Sequence, residues 1–112
     1  MKAQIILGLL AAVLVSGSAQ AAGVVITGNK KGKCDPAMPM VKAKAPVTIE
    51  LKSVGGKTIL LDSALLNLHV KAAPGKSVSK VVTFPTKGDY GFTCGDEVLP
   101  TNKRSQGMFM AM

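Results

Sequence analysis

The sequence predicts an all-β fold, either a sandwich or a barrel. Short segments that alternate apolar and polar residues, the period of a half-buried strand, recur along the chain. Turn signals rich in glycine, proline, asparagine or aspartate separate these segments, and little helical periodicity interrupts the series. About six or seven short strands at such spacing normally bury alternate residues between two sheets.

The first residues, Met1 to Ala21, have the pattern of a secretory signal peptide. Lys2 supplies the positive charge, Ile5–Val15 is the apolar run, and Ala19-Gln20-Ala21 is a small-x-small cleavage site. The apolar run is shorter than the about 20 residues of a transmembrane helix, although an uncleaved anchor is the alternative. We therefore expect a bacterial periplasmic or secreted protein that contacts the membrane only before cleavage, with residues 22–112 forming one domain.

The first half of this domain contains two clear strand patterns. Val24–Thr27 is a β-branched run that the Gly28-Asn29 turn ends. Val47–Lys52 alternates apolar and polar residues up to the break at Gly55-Gly56. For residues 60–65, which follow, we expect a helical turn.

The second half continues the strand series. Leu66–Lys71 alternates again, and a Pro-Gly-Lys turn then leads into a further alternating strand, Ser77–Phe84. A Lys-Gly-Asp turn precedes the strand Tyr90–Cys94. A polar loop, Gly95–Ser105, separates it from the final predicted strand, Gly107–Met112.

The charge of the chain is strongly positive. A formal net charge of +8 falls to +7 once Lys2 is removed. The lysines are scattered, without the dense basic stripe or aromatic platforms of a nucleic-acid surface, so we expect no nucleic-acid partner. A solvated basic surface can instead steer an acidic protein partner. The carboxylates lack the spacing of a general acid–base pair, and we expect no enzyme activity.

Sulfur-containing side chains of the domain cluster in two parts of the sequence. They are Cys34, Met38 and Met40 in the first cluster, and Cys94, Met108, Met110 and Met112 in the second. In a strand, alternate positions share a face, so the last three methionines lie on one side and Met38 and Met40 on one side. Thioethers and thiolates are soft donors that select Cu(I), and both groups together predict a Cu(I) site if they converge.

Two alternatives remain open at this stage. Met110 and Met112 could pack in the core or in a homodimer interface, because methionine often fills irregular apolar gaps. Cys34 and Cys94 could form a disulfide, the usual state of two cysteines in an exported protein, or could bind metal as thiols. The pair could also alternate between a disulfide and a Cu(I)-bound dithiol.

Three stretches of the sequence resemble the cupredoxins, the small Greek-key β-sandwich proteins that bind copper. They are residues 34–48, the turn Ala73–Ser77, and Lys87–Cys94 followed by Gly107-Met108. The resemblance implies a cupredoxin-like Greek-key β-sandwich for residues 22–112. It also implies a copper site of two histidines, a cysteine and an axial methionine, in which Cys94 and Met108 match the last two.

The sequence departs from this family at the two histidines. No histidine stands at 58–61 or in the loop 95–107, and the single histidine, His69, lies on a strand that does not normally supply a ligand. We therefore predict Cu(I) storage, buffering or delivery through Cys/Met ligands, in exchange with an acidic donor or acceptor protein. The alternatives are a non-metal scaffold with a Cys34–Cys94 disulfide, and electron transfer at a copper site shared between two chains.

Overall fold

The structure is a computed structural model that describes residues 23–112, and the predicted signal peptide lies outside these residues. Two β-sheets pack face to face, as the alternating pattern predicts. The strands are β1 Gly23–Gly28, β2 Cys34–Asp35, β3 Met40–Val41, β4 Pro46–Ser53, β5 Ile59–Ser63, β6 Leu68–Ala72, β7 Ser77–Thr83, β8 Gly88–Asp96 and β9 Ser105–Ala111. A single turn of 3-10 helix, Thr101–Lys103, precedes β9.

The two sheets differ in size and in the strands that meet at their edges. One sheet has four strands in the order β2-β1-β4-β7, and the other has five in the order β3-β9-β8-β5-β6. The pairs β1–β4 and β3–β9 are parallel, and the remaining pairs are antiparallel. The predicted β-sandwich is therefore confirmed. Within residues 23–112, no helix has the length and apolar character needed to cross a membrane.

The core lies between the sheets and follows the period of two. Alternate residues of β4 and of β6 are buried, and they face each other across the sandwich. Aromatic rings fill the middle: Phe109 of β9 lies 5.3 Å from Phe84 and 4.7 Å from Phe92, measured between ring centroids. The Phe84–Phe109 contact is edge-to-face and the Phe92–Phe109 contact is tilted. Aromatic contacts at such distances add to the stability that burial of the rings provides.

Residues 60–65 do not form the helical turn that the sequence predicts. They belong mostly to β5, Ile59–Ser63, which pairs with both β6 and β8. Ile59, Leu61 and Ser63 are buried while Leu60 and Asp62 are half-buried, so the segment follows a period of two. Neighbours on both sides satisfy the backbone of β5, and this tertiary pairing overrides the local helical pattern.

Side-chain hydrogen bonds fix the connections at the ends of the strands. The Tyr90 hydroxyl donates to the Thr86 carbonyl over 2.8 Å and accepts from the Thr86 backbone N–H over 3.2 Å. The Arg104 guanidinium, which is largely buried, donates to the Leu99 carbonyl and contacts Asp62 on the five-stranded sheet. The loop before β9 is thereby held against the sheet, so β9 enters the sandwich at a defined position.

Candidate metal site on the outer face of the five-stranded sheet

The last strand, β9, presents its methionines away from the core. Phe109 and Ala111 are buried between the sheets, whereas Met108 and Met110 are half-buried and point to the opposite side. Met112 follows the strand and is 58% exposed. The predicted strand is confirmed, and its three methionines lie on a common face. That face is the outer one, so the core-packing alternative for Met110 and Met112 is wrong.

The segment around β3 brings two further methionines to the same place. β3 pairs with β9 in parallel, with Met40 opposite Met110. The backbone N–H of Met108 donates to Ala37 over 2.8 Å, and that of Met110 donates to Pro39 over 2.9 Å. Both bonds follow one register, so Met38 lies opposite Met108. Met38 and Met40 are 56% and 58% exposed.

All methionines of the described residues therefore occupy one patch, which we call the methionine face. Its members are Met38, Met40, Met108, Met110 and Met112. Opposite residues of paired strands lie about 4.8 Å apart, and alternate residues of one strand about 6.6 Å apart. The methionine side chain has three rotatable bonds, so thioethers at this spacing can turn toward a common ion.

Two glycines shape the surroundings of the methionine face, one beside Met108 and one in β9 itself. Gly91 of β8 lies opposite Met108 and places no side chain beside it, while Asp89 lies opposite Met110. Gly107 is required for another reason. A Cβ at this position would contact the Phe92 ring on the inner side and lie 2.6 Å from the Ala37 carbonyl oxygen. Only glycine lets the β3 segment approach β9 this closely.

The cysteines occupy a different layer of the molecule. Cys94 of β8 is fully buried between the sheets, and its sulfur is bonded to that of Cys34, with the two Cα atoms 5.9 Å apart. Because β2 belongs to the four-stranded sheet and β8 to the five-stranded one, this disulfide joins the two sheets. The sequence left open a disulfide or metal-binding thiols, and the structure contains the disulfide. Neither cysteine carries a free thiolate in this state.

The hypothesis of one cage that holds both cysteines and methionines is therefore wrong. Cys94 points inward from β8, whereas Met108 points outward from β9, so a sheet separates their side chains. The register adds to this separation, since Cys94 lies opposite Ser105, three residues before Met108. Ligation of copper by the methionines stays a prediction, and ligation by Cys34 or Cys94 stays one for the reduced chain only.

The single histidine is remote from the methionine face. His69 is exposed on β6, and its Nδ1 lies 2.9 Å from the Asp62 carboxylate on β5. Three strand spacings separate β6 from β9 in the sheet, which corresponds to about 14 Å. His69 therefore faces solvent and the Asp62 side chain. Among residues 23–112, no group of three or more His, Cys, Asp or Glu side chains could hold a metal ion.

The sequence signal for this site was present but incomplete. The sequence shows the alternating methionines of the last strand and of Met38-Pro39-Met40. It does not show that they form cross-strand pairs, which follow from the parallel pairing of β3 with β9. The roles of Gly91 and Gly107 were not predicted. The sequence did contain a signal for them, since each glycine lies within or beside an alternating strand pattern. A glycine in such a position often marks a place where another backbone approaches closely.

The architecture is that of a two-sheet cupredoxin sandwich, the fold of a class of copper-binding domains. The chain belongs to the cupredoxin-like domain family, whose model matches residues 3–109. No curated protein sequence matches the chain at a significant level.

Solved structures with the same fold include copper-binding domains. The metal binding domain of the Cu(I) exporting P-type ATPase CopA from Streptococcus pneumoniae D39, solved with Cu(I), has a TM-score of 0.63 and 16% identity, covering 80% of this chain and 84% of that one. Reduced auracyanin from Roseiflexus castenholzii has a TM-score of 0.63 and 15% identity, covering 84% and 99%.

A chain of a heme-copper terminal oxidase dimer has a TM-score of 0.64 and 15% identity, and the match covers 81% of this chain but only 65% of that one. Because the identities are this low, these likenesses show the shared fold.

Proposed function

We propose that this protein binds Cu(I) through the thioethers of the methionine face, and that it stores, buffers or delivers the ion in the periplasm or outside the cell. One observation carries the proposal: the methionines come from two segments far apart in sequence, yet all lie on one outer patch. They are half-buried or exposed and do not belong to the core cluster. Filling of the core therefore does not account for their positions.

The chemistry of the donors favours Cu(I) over other ions. Thioethers are soft ligands that bind Cu(I) well and hard cations such as Mg²⁺ or Ca²⁺ poorly. A thioether needs no deprotonation before it binds, unlike a thiol, so acidic conditions do not weaken it as a ligand. The disulfide between Cys34 and Cys94 leaves the methionines as the sulfur ligands available in an oxidising compartment.

We further propose that the partner is an acidic copper donor or acceptor protein. Exposed lysines surround the end of the methionine face near Met112: Lys42 lines the adjoining groove, and Lys44 follows Ala43, whose N–H donates to Met112. Lys87 precedes Gly88, which pairs with the residue before Met112. A positive rim attracts an acidic surface and raises the rate of encounter. Thioether ligands would then exchange to the partner one at a time.

Anaerobic competition between the oxidised protein and a Cu(I) chelator tests this function. We expect the wild type to withdraw Cu(I) from the chelator, and a variant with all members of the methionine face changed to leucine to lose this ability. Leucine is close to methionine in volume, so the fold is retained. H69Q serves as the control and should bind as the wild type does. Lack of Cu(I) retention by the wild type would end the proposal.

A second candidate, a binding or scaffold module without metal, is favoured by the disulfide itself. The sulfur atoms of Cys34 and Cys94 are both used in a bond that joins the sheets, as this alternative predicts. The methionines, however, face outward, whereas this alternative expects them to pack. In the competition experiment, the scaffold module predicts identical behaviour of the wild type and the leucine variant.

A further inference from the structure

Two separate recesses divide the methionine face. One groove, of about 290 Å³, is lined by Met38 and Met108 together with Ala37, Gln106 and Gly107. The other, of about 380 Å³, is lined by Met40, Met112, Val41 and Lys42. No methionine lines both grooves, so these four thioethers form two groups along the strands. Met110 lines neither groove, and its pairing with Met40 assigns it to the second group.

From this division we infer that the methionine face holds two Cu(I) ions in distinct sites, an inference that rests on the proposed function. The first site uses the cross-strand pair Met38 and Met108. The second uses the cross-strand pair Met40 and Met110, and Met112 completes it from the end of the strand. The chain then carries two ions in one load, which suits storage and delivery.

The strand geometry favours two sites over one. Side chains stand roughly perpendicular to a sheet, so a cross-strand pair about 4.8 Å apart can hold an ion between its thioethers with little bending. An ion shared by Met38, Met40, Met108 and Met110 would have to draw all of these side chains inward, because alternate residues of one strand are about 6.6 Å apart. That arrangement fixes more rotatable bonds for the same ion and costs more conformational entropy.

The two sites should differ in affinity. The second site has a third thioether and lies next to Asp89, which pairs with Met110, while Lys42 opposes this effect in part. The first site has two thioethers and no carboxylate in its groove lining. Two monovalent ions a few ångströms apart also repel each other across the protein surface. We expect the second equivalent of Cu(I) to bind at least about tenfold more weakly than the first.

Native mass spectrometry during an anaerobic Cu(I) titration of the oxidised protein tests this inference. The expected result is two bound ions in two steps. M38L/M108L should remove the weaker step and keep the tighter one, and M110L/M112L should remove the tighter step. All of these positions are on the outer face, and circular dichroism of each variant checks that the fold is unchanged.

Each remaining outcome decides between the proposals. A single bound ion in the wild type, lost in both double variants, would overturn the two-site inference while the Cu(I)-binding function stands. Two ions that both double variants weaken equally would also overturn it, since the thioethers would then act as one cluster. Binding of no ion by the wild type would overturn the proposed function itself, and the inference with it.

Discussion

Reduction of the Cys34–Cys94 disulfide should destabilise the protein strongly, even without copper. The bond joins residues separated by 60 positions, so it restricts a large part of the unfolded chain. For a loop of this length, the chain-entropy relation gives a stabilisation of about 4 kcal/mol at 25 °C. Small domains have a total unfolding free energy of about 5–15 kcal/mol, so the loss is a large fraction of the whole.

Urea denaturation of the oxidised and reduced wild type, followed by far-UV circular dichroism, measures this loss. In thermal unfolding of a domain of this size, a loss of about 4 kcal/mol corresponds to a fall in Tm of about 16 to 30 °C. The reduced form should also show a larger dependence on urea, because its unfolded state exposes more surface. C34A/C94A removes the crosslink without reductant and should show a similar loss. Equal urea midpoints for the oxidised and reduced forms would refute the reasoning.

Three further predictions follow from the packing and the proposed donors. G107A should destabilise the fold by about 1–3 kcal/mol in urea denaturation, because its Cβ would clash with Phe92 and with the Ala37 carbonyl. An unchanged urea midpoint would contradict the close approach of the β3 segment to β9. Y90F should cost about 1 kcal/mol, because the Tyr90 hydroxyl bonds the Thr86 backbone, and T86S, which keeps that backbone, should cost less. Cu(I) affinity of the oxidised protein should be the same at pH 5 and pH 7 in chelator competition, because thioethers carry no proton; a steep fall at pH 5 would indicate a thiolate or imidazole donor.

The disulfide and the methionine face are connected through the β3 segment. Cys34 stands shortly before Ala37, whose carbonyl accepts from Met108, so the crosslink holds the start of the segment that carries Met38. Removing the crosslink should loosen this segment more than β9, which β8 pairs along its whole length. A modest loss of Cu(I) affinity in C34A/C94A would therefore reflect looser positioning of Met38.

Local sequence patterns were sufficient to place most of the strands. Alternation located β4 and β6 to within two residues at each end and indicated the residues that they bury, since each of these strands has one apolar and one polar face. The pattern failed at residues 60–65, where Asp62 and Ser63 separate two pairs of apolar residues and strict alternation is lost. Such a short segment does not distinguish a strand from a helical turn by its period alone, and pairing on both sides decided for the strand.

The sequence by itself determined that the methionines of the last strand share a face, because side chains alternate along any strand. It did not determine which face, since Phe109 and Ala111 on one side and the methionines on the other are all apolar. Only the tertiary structure decided this, because the aromatic rings of Phe84 and Phe92 draw Phe109 into the core. The parallel pairing of β3 with β9 and the Cys34–Cys94 bond were decided at the same level, since both join residues that are distant in sequence and meet only when the sheets assemble.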